Sequence, residues 1–70
     1  MQYPLREEYI ELYKLIKVLD LVDSGAEAKR IIAAGHVLRN GDIELRKRAK
    51  IRAGERIDIA DIIIKVVTSS

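Results

Sequence analysis

The spacing of hydrophobic residues changes twice along this 70-residue chain, and each change predicts a different kind of element. Tyr3 and Leu5 alternate around Pro4, which predicts an edge strand or an extended arm, because proline cannot donate to a strand ladder. From residue 10 onward the spacing becomes helical. Apolar residues at i, i+3, i+4 and i+7 predict a first helix over about 11–19, with the stripe Leu12, Leu15, Ile16 and Leu19.

A second helix is predicted between two clear boundary signals. Ser24 suits an N-cap, and Glu27 stands three positions later, so the two residues can form a capping box. Gly35 supplies the left-handed backbone conformation that ends many helices. We therefore predict a helix over about 25–34, with a buried stripe of Ala28, Ile31 and Ile32.

Alternating residues beyond this helix predict a small, mostly antiparallel sheet. A strand begins at Val37, and Asn40–Gly41 suits a type I′ hairpin, in which both central residues need positive φ. The return strand is predicted over about 43–45, and further strands over 56–59 and 62–67. The fold predicted is α+β, with two short helices packed on this sheet in one domain of residues 1–70.

Composition narrows the class of protein. The chain has no cysteine, so it has neither disulfides nor thiolate metal sites, which fits a reducing cytoplasm. No apolar run approaches the ~20 residues of a membrane helix. We expect a cytoplasmic monomer without a membrane segment. The single histidine, His36, and the lack of a nucleophile paired with a base give no support for catalysis or a cofactor, and no cluster has metal-ligand spacing.

Positive charge is concentrated in the middle of the chain. Residues 24–54 carry eight lysines and arginines against three acidic residues, whereas the segments 1–23 and 55–70 are each net acidic. Lys29 and Arg30 stand beside Ala26 and Ala33, whose small side chains would let a nucleic-acid backbone approach closely. Such clustering indicates a polyanionic partner more strongly than the formal net charge of +2 does.

The densest part of this segment is the basic run at 46–50, which reads RKRAK. If the extended path of the preceding strand continues, Arg46, Arg48 and Lys50 share one side and Lys47 faces the other. A solubilising loop is the structural alternative, but so dense a run repels itself unless an anion offsets its charge.

Other features also have a structural and a functional interpretation. Ser24 is first a helix cap, although a helix N-terminus also favours phosphate. Lys29 and Arg30 could form an ordinary solvated face, and the later basic run favours function instead. Tyr9 and Tyr13 are predicted to form the rim of the core, with stacking on nucleic-acid bases as the alternative.

These signals together resemble a known family. Ser24-x-x-Glu27-Ala28-Lys29-Arg30-Ile31-Ile32-x-x-Gly35-x-Val37-x-x-Asn40-Gly41, followed by Gly54-Glu55-x-Ile57, resembles the S4 RNA-binding domain over roughly residues 12–59. The segments 23–25 and 46–48 are most similar to the small stand-alone members of the YbcJ and YaaA type. The resemblance implies an S4-like fold with the alpha-L motif, in which the second helix and the adjacent loops contact folded RNA.

The chain departs from the family pattern at two positions. Many members carry arginine where this chain has Gly25, although the stand-alone members tend to have glycine there. Members usually have an apolar residue before the Asn-Gly turn, where this chain has Arg39. Either Arg39 extends the binding surface or the hairpin sits differently. The RNA-binding residues predicted from the charge pattern and the resemblance are Ser24, Gly25, Lys29, Arg30, Arg39, Asn40, Arg46, Lys47, Arg48, Lys50 and Arg52.

The function predicted is binding of structured RNA through a basic helix-hairpin surface. The resemblance implies ribosomal RNA or its precursor as the target, a role in ribosome assembly or translation, and room for a ribosomal or RNA-processing protein as partner. Duplex DNA is one alternative, because two short helices with a tight connection imitate a helix-turn-helix. The other is a protein-interaction adaptor whose acidic, tyrosine-bearing N-terminal third docks a partner.

Overall fold

The computed structural model describes residues 1–69, in which two helices pack on a five-stranded sheet. The elements in chain order are β1 (Gln2–Leu5), β2 (Ile10–Glu11), α1 (Leu12–Val18), α2 (Gly25–Ala33), β3 (Val37–Arg39), β4 (Asp42–Ile43), β5 (Lys50–Ile51), β6 (Arg56–Ile59) and β7 (Ile62–Thr68). The large sheet has the strand order β1-β7-β6-β3-β4, and β2 pairs with β5 in a small second sheet. Every pair is antiparallel except β1 with β7, so the predicted α+β class with a mostly antiparallel sheet is confirmed.

Helix α2 and the hairpin after it follow the local sequence signals. The Ser24 hydroxyl accepts a hydrogen bond from the backbone N–H of Glu27 at 3.2 Å, which is the N-cap half of the predicted capping box. Gly35 has φ +83°, and the helix ends just before it. Asn40 and Gly41 have φ +51° and +93°, as a type I′ turn requires, and β3 pairs with β4 on either side of them.

The return strand of this hairpin is shorter than predicted. Strand β4 covers only Asp42–Ile43, whereas the alternation predicted about 43–45. The backbone N–H of Glu44 still donates to the Val37 carbonyl at 3.0 Å. Its carboxylate accepts the backbone N–H of Arg46 at 3.2 Å and hydrogen bonds from the Arg39 and Arg46 guanidiniums. Such local side-chain to backbone bonds compete with strand pairing, and the alternation of apolar residues does not reveal them.

Helix α1 begins without a side-chain cap. Its first backbone N–H groups bond instead to the loop of residues 44–49, called the basic loop below. The backbone N–H of Leu12 donates to the carbonyl of Ala49 at 2.9 Å, and that of Tyr13 donates to the carbonyl of Lys47 at 3.0 Å. The first N–H groups of a helix have no partner inside it, so these two bonds fix the loop of residues 44–49 to the start of α1. The pairing of β2 with β5 continues the same junction.

The hydrophobic core lies between the two helices and the sheet. Its largest fully buried side chains come from both layers: Leu12, Leu15, Ile16, Ile32, Val37, Ile51, Ile57, Ile64 and Val66. Strand β1 stands at the end of the sheet, so Pro4 occupies the edge position that its missing N–H requires. Within residues 1–69, no helix combines the length and hydropathy of a membrane span.

Candidate nucleic-acid interface

The ring of Tyr13 joins helix α2 to the basic loop. The Lys29 Nζ of α2 lies 4.6 Å from the ring centroid, and the Arg48 guanidinium carbon of the loop lies 6.0 Å from the same centroid. Lys14, from the same helix as Tyr13, places its Nζ at 5.9 Å. Cations are attracted to the negative face of an aromatic ring at these distances. Two basic groups that are far apart in the sequence therefore lie on one surface.

Gly25 begins helix α2 directly beside this ring. A Cβ added to Gly25 would lie 3.7 Å from two carbons of the Tyr13 ring and 4.0 Å from the Lys17 side chain, which is ordinary van der Waals contact. The position can therefore carry a side chain. The backbone at this position therefore does not require glycine, and it would accept the arginine that many family members carry.

The basic loop forms a turn, and the extended path assumed from the sequence is wrong. The backbone N–H of Ala49 donates to the carbonyl of Arg46 at 3.3 Å, and residues 47 and 48 form the turn. The open basic depression that results is lined by Arg39, Arg46, Arg48, Ala49, Lys50 and Arg52. Lys47 lies outside that lining. Its separation from Arg46, Arg48 and Lys50 arises from the turn and from the carbonyl contact to α1.

Arg39, which lines this depression, is held in an ion-pair network. Its Nε and Nη2 donate to the two carboxylate oxygens of Glu55 at 2.7 and 3.1 Å, and its Nη1 donates to Glu44 Oε1 at 3.2 Å. Its Nη2 also donates to the carbonyl of Lys50 at 3.0 Å. Since the fork of the guanidinium is occupied by carboxylates, the geometry gives Arg39 a structural role: it ties β3 to the basic loop and to the turn before β6.

Asn40 takes part in the same network. Its Nδ2 donates to Glu55 Oε1 at 3.1 Å, and its Oδ1 accepts the backbone N–H of Arg56 at 2.9 Å. Burial raises the pKa of Glu55, but hydrogen bonds from Arg39, from the backbone N–H of Arg52 and from Asn40 outweigh it and leave that pKa below its ordinary value. Glu55 is therefore an ionised anchor inside a cationic surface.

Glu44 is a second ionised carboxylate inside the cationic surface, and the residue is 8% exposed. Hydrogen bonds from the Arg46 guanidinium are the main reason that its pKa falls to about 2; the Arg46 backbone N–H and Arg39 add to them, against the opposing effect of burial. The Arg46 side chain is nevertheless 74% exposed, so its outer face stays open to an anion while Glu44 holds its inner face.

Lys50 and Arg52 lie beside a second aromatic ring, that of Tyr9. The Lys50 Nζ is 5.1 Å and the Arg52 guanidinium carbon 5.8 Å from the Tyr9 centroid. Arg52 also lies 3.6 Å from a carboxylate oxygen of Glu8. Tyr13 is partly buried and packs against the core as a rim residue should, whereas Tyr9 is more exposed, at 38%.

The remaining candidate residues are exposed around this surface. Ser24 caps α2, while Arg30 and Lys47 present their side chains to solvent. The structure thus places Lys29, Arg46, Arg48, Lys50 and Arg52 around two tyrosines and one depression. The RNA-binding role of each candidate residue stays a prediction.

Sequence reasoning missed the residues that organise the surface, namely the two tyrosines as supports for cations and the carboxylates of Glu44 and Glu55. A weak signal was present, because Glu44 is an acidic residue only two positions before the basic run at 46–50. Acidic residues inside a cationic segment lower its self-repulsion and are natural partners for buried arginines.

Comparison with known proteins agrees with this architecture. The fold and site define a small α+β domain with a basic surface built from a helix, a hairpin and a loop. The S4 domain model matches residues 3–67, and the chain belongs to the S4 domain family.

Particular relatives cover most of the chain. YbcJ of Escherichia coli (strain K12) is 40% identical over 62 residues, which is 89% of each chain, and YbcJ of Shigella flexneri matches equally. The solution structure of E. coli YbcJ, which reveals an αL motif involved in RNA binding, superposes with a TM-score of 0.74 at 38% identity, over 96% of this chain and 86% of that one. The 30S ribosomal protein S4e of Thermoplasma acidophilum gives a TM-score of 0.68 at 27% identity, over 83% of this chain and 31% of that protein.

Proposed function

We propose that this protein binds structured RNA through the surface formed by helix α2, Tyr13 and the loop of residues 44–49. The observation that carries the proposal is the meeting of Lys29 and Arg48 over one tyrosine ring. Because that ring is fixed by core packing, both cations are held near one site even before a ligand arrives. Membership of a family that includes an RNA-binding αL structure supports RNA as the anion.

The mechanism proposed is electrostatic and depends on shape. Lysine and arginine neutralise phosphates and release the counterions condensed around them, which favours binding at low salt. A-form RNA hides its base edges in a deep, narrow groove, so contacts to phosphate and 2′-hydroxyl groups dominate recognition of a stem. The rigid frame of helix, hairpin and loop then selects a particular arrangement of the RNA backbone.

The natural target that we propose is ribosomal RNA or its precursor, bound in the cytoplasm by the monomer during ribosome assembly or translation. The similarity to a 30S ribosomal protein supports this target. A ribosomal or RNA-processing protein is a further proposed partner. Crosslinking in cells followed by sequencing of the bound RNA tests the proposal, and recovery of messenger or transfer RNA without ribosomal RNA would contradict it.

Arg48→Ala is expected to weaken RNA binding, and by a similar factor for hairpins of unrelated sequence. Loss of one phosphate contact should lower the slope of log affinity against log salt by about one unit. The matched control is Lys47→Ala, which removes a cation that lies outside the depression and should change the slope less. Binding isotherms at several salt concentrations, with two hairpins and one DNA duplex, measure both effects.

Several outcomes would contradict this prediction. Equal and negligible effects of the two variants would make the run a solvated loop, and a preference for the DNA duplex would favour the helix-turn-helix alternative.

Arg46→Ala should also lower the slope, but it removes the main hydrogen-bond donor to Glu44 as well. Arg48, whose guanidinium lies over Tyr13, is therefore the cleaner test.

Gly25→Arg is expected to strengthen binding to RNA. The new side chain would extend past the Tyr13 ring from a position that tolerates a Cβ, and it would add one cation beside Lys29. The slope of log affinity against log salt should become steeper by about one unit. Gly25→Ala is the control for changes in helix stability. Equal slopes for the two variants would place Gly25 outside the path of the phosphates.

A further inference from the structure

Tyr9 is an exposed aromatic side chain at the boundary of the basic surface. It is 38% exposed and immediately precedes strand β2, whose pairing with β5 holds it next to Lys50 and Arg52. Both cations approach the ring within 6 Å of its centroid, and both line the basic depression. Because more than a third of the Tyr9 surface is exposed, part of the side chain remains open to a ligand.

Tyr9 also lies between two surfaces of opposite charge. Tyr9 itself lines an open hollow together with Tyr3, Glu7, Glu8, Ile10, Glu11 and Lys14. Its three carboxylates outnumber its one lysine, so the hollow favours an uncharged base over a phosphate, even though Glu11 pairs with Lys14 at 3.1 Å and Glu8 lies 3.6 Å from Arg52. A nucleotide that crosses Tyr9 is therefore oriented, with its phosphate toward Lys50 and Arg52 and its base over the ring.

We propose that Tyr9 stacks an unpaired RNA base next to the stem held by helix α2 and the basic loop. The preferred ligand is then a junction between a duplex and a single-stranded nucleotide, and not a plain duplex. The inference rests on the proposed function, because Lys50 and Arg52 act in it as phosphate contacts. Pairing of cations with an aromatic platform is the general way in which proteins hold unpaired nucleotides, and it tolerates any base.

The test compares a blunt RNA duplex with two duplexes of the same stem sequence. One carries a single unpaired 2-aminopurine at a 3′ end, and the other carries it at a 5′ end. Wild-type protein should bind one of the overhang duplexes about 5-fold or more tightly than the blunt duplex, because stacking on an aromatic side chain contributes at least that much. The fluorescence of the 2-aminopurine in that overhang should be quenched when the protein binds.

Two substitutions separate the ring from the rest of the side chain. Tyr9→Phe keeps the ring and should retain the preference and the quenching, whereas Tyr9→Leu should lose both while it binds the blunt duplex like the wild type. Equal binding of wild type and Tyr9→Leu to all three duplexes, with unquenched fluorescence, overturns the stacking role. Arg48→Ala would still weaken binding in that case, so the proposed function would stand. Failure of wild-type protein to bind any of the duplexes overturns both.

Discussion

Ile32→Ala is expected to lower the free energy of unfolding by about 2–5 kcal/mol, measured by urea or thermal denaturation. Ile32 is fully buried in helix α2 among side chains of α1 and the sheet. Truncation removes buried methyl groups and leaves a cavity that close-packed neighbours fill only in part. A 70-residue chain buries little surface to begin with, so a loss of this size is a large share of its total stability.

Lys29→Ala is the matched control on the same helix. Its side chain lies over the Tyr13 ring, and a cation in that position contributes at most about 1 kcal/mol at a partly exposed site. The control variant should therefore remain folded and should weaken RNA binding. Comparable destabilisation by the two substitutions would mean that the buried and the basic faces of α2 have been assigned wrongly.

Local signals were sufficient for the parts of the fold that local chemistry decides. The cap at Ser24, the left-handed Gly35 and the Asn40–Gly41 turn each depend on the conformation of a few consecutive residues, and each lies where the sequence predicts. Helix α1 was found from its apolar stripe, within one residue of each predicted end. Such elements are predictable because propensity, hydrophobic pattern and turn chemistry all favour the same structure.

The candidate surface was less predictable because tertiary contacts create it. Strands β2 and β5 have two residues each, which is too short for an alternating pattern, yet their pairing fixes the basic loop to α1. Charge clustering located the cations but not their arrangement. Their positions depend on Tyr13, which lies more than ten residues from any of the cations of α2 and the loop. They also depend on Glu55, whose partner Arg39 is 16 residues away.

Arg39→Gln is the second substitution expected to have a large effect, with a loss of about 2–3 kcal/mol in the free energy of unfolding. The Arg39, Glu44 and Glu55 side chains are 23%, 10% and 17% exposed, so the network is neither buried nor freely solvated. Exposed pairs contribute ~0–1 kcal/mol, and breaking a buried pair costs ~3–5 kcal/mol because a charge is left without its partner. With Glu44 buried and Arg39 and Glu55 partly buried, the network falls between these limits.

Arg56→Gln is the appropriate control, since it removes an arginine that is 52% exposed and bonds a single carboxylate, that of Asp58. This pair is screened by water and should contribute far less than the Arg39 network. If urea denaturation at pH 7 showed the two variants to be equally stable, the network would not be what holds Arg39, and its main role would be the RNA binding that the sequence predicts.

Lowering the pH should reduce the stability of the wild type, and part of that loss should equal the effect of Arg39→Gln at neutral pH. The folded-state pKa of Glu44 is about 2, against an ordinary value of 4.5, and that of Glu55 is also lowered. A carboxylate with a depressed folded pKa contributes stability that is fully present above its ordinary pKa and is lost as pH falls toward the folded value. The wild type should therefore lose stability between about pH 5 and pH 2. Arg39→Gln should lose less over that range, since Glu55 no longer has its guanidinium partner and Glu44 retains only Arg46. Parallel stability curves for the two proteins from pH 7 to pH 3 would show that the network does not link Arg39 to these carboxylates.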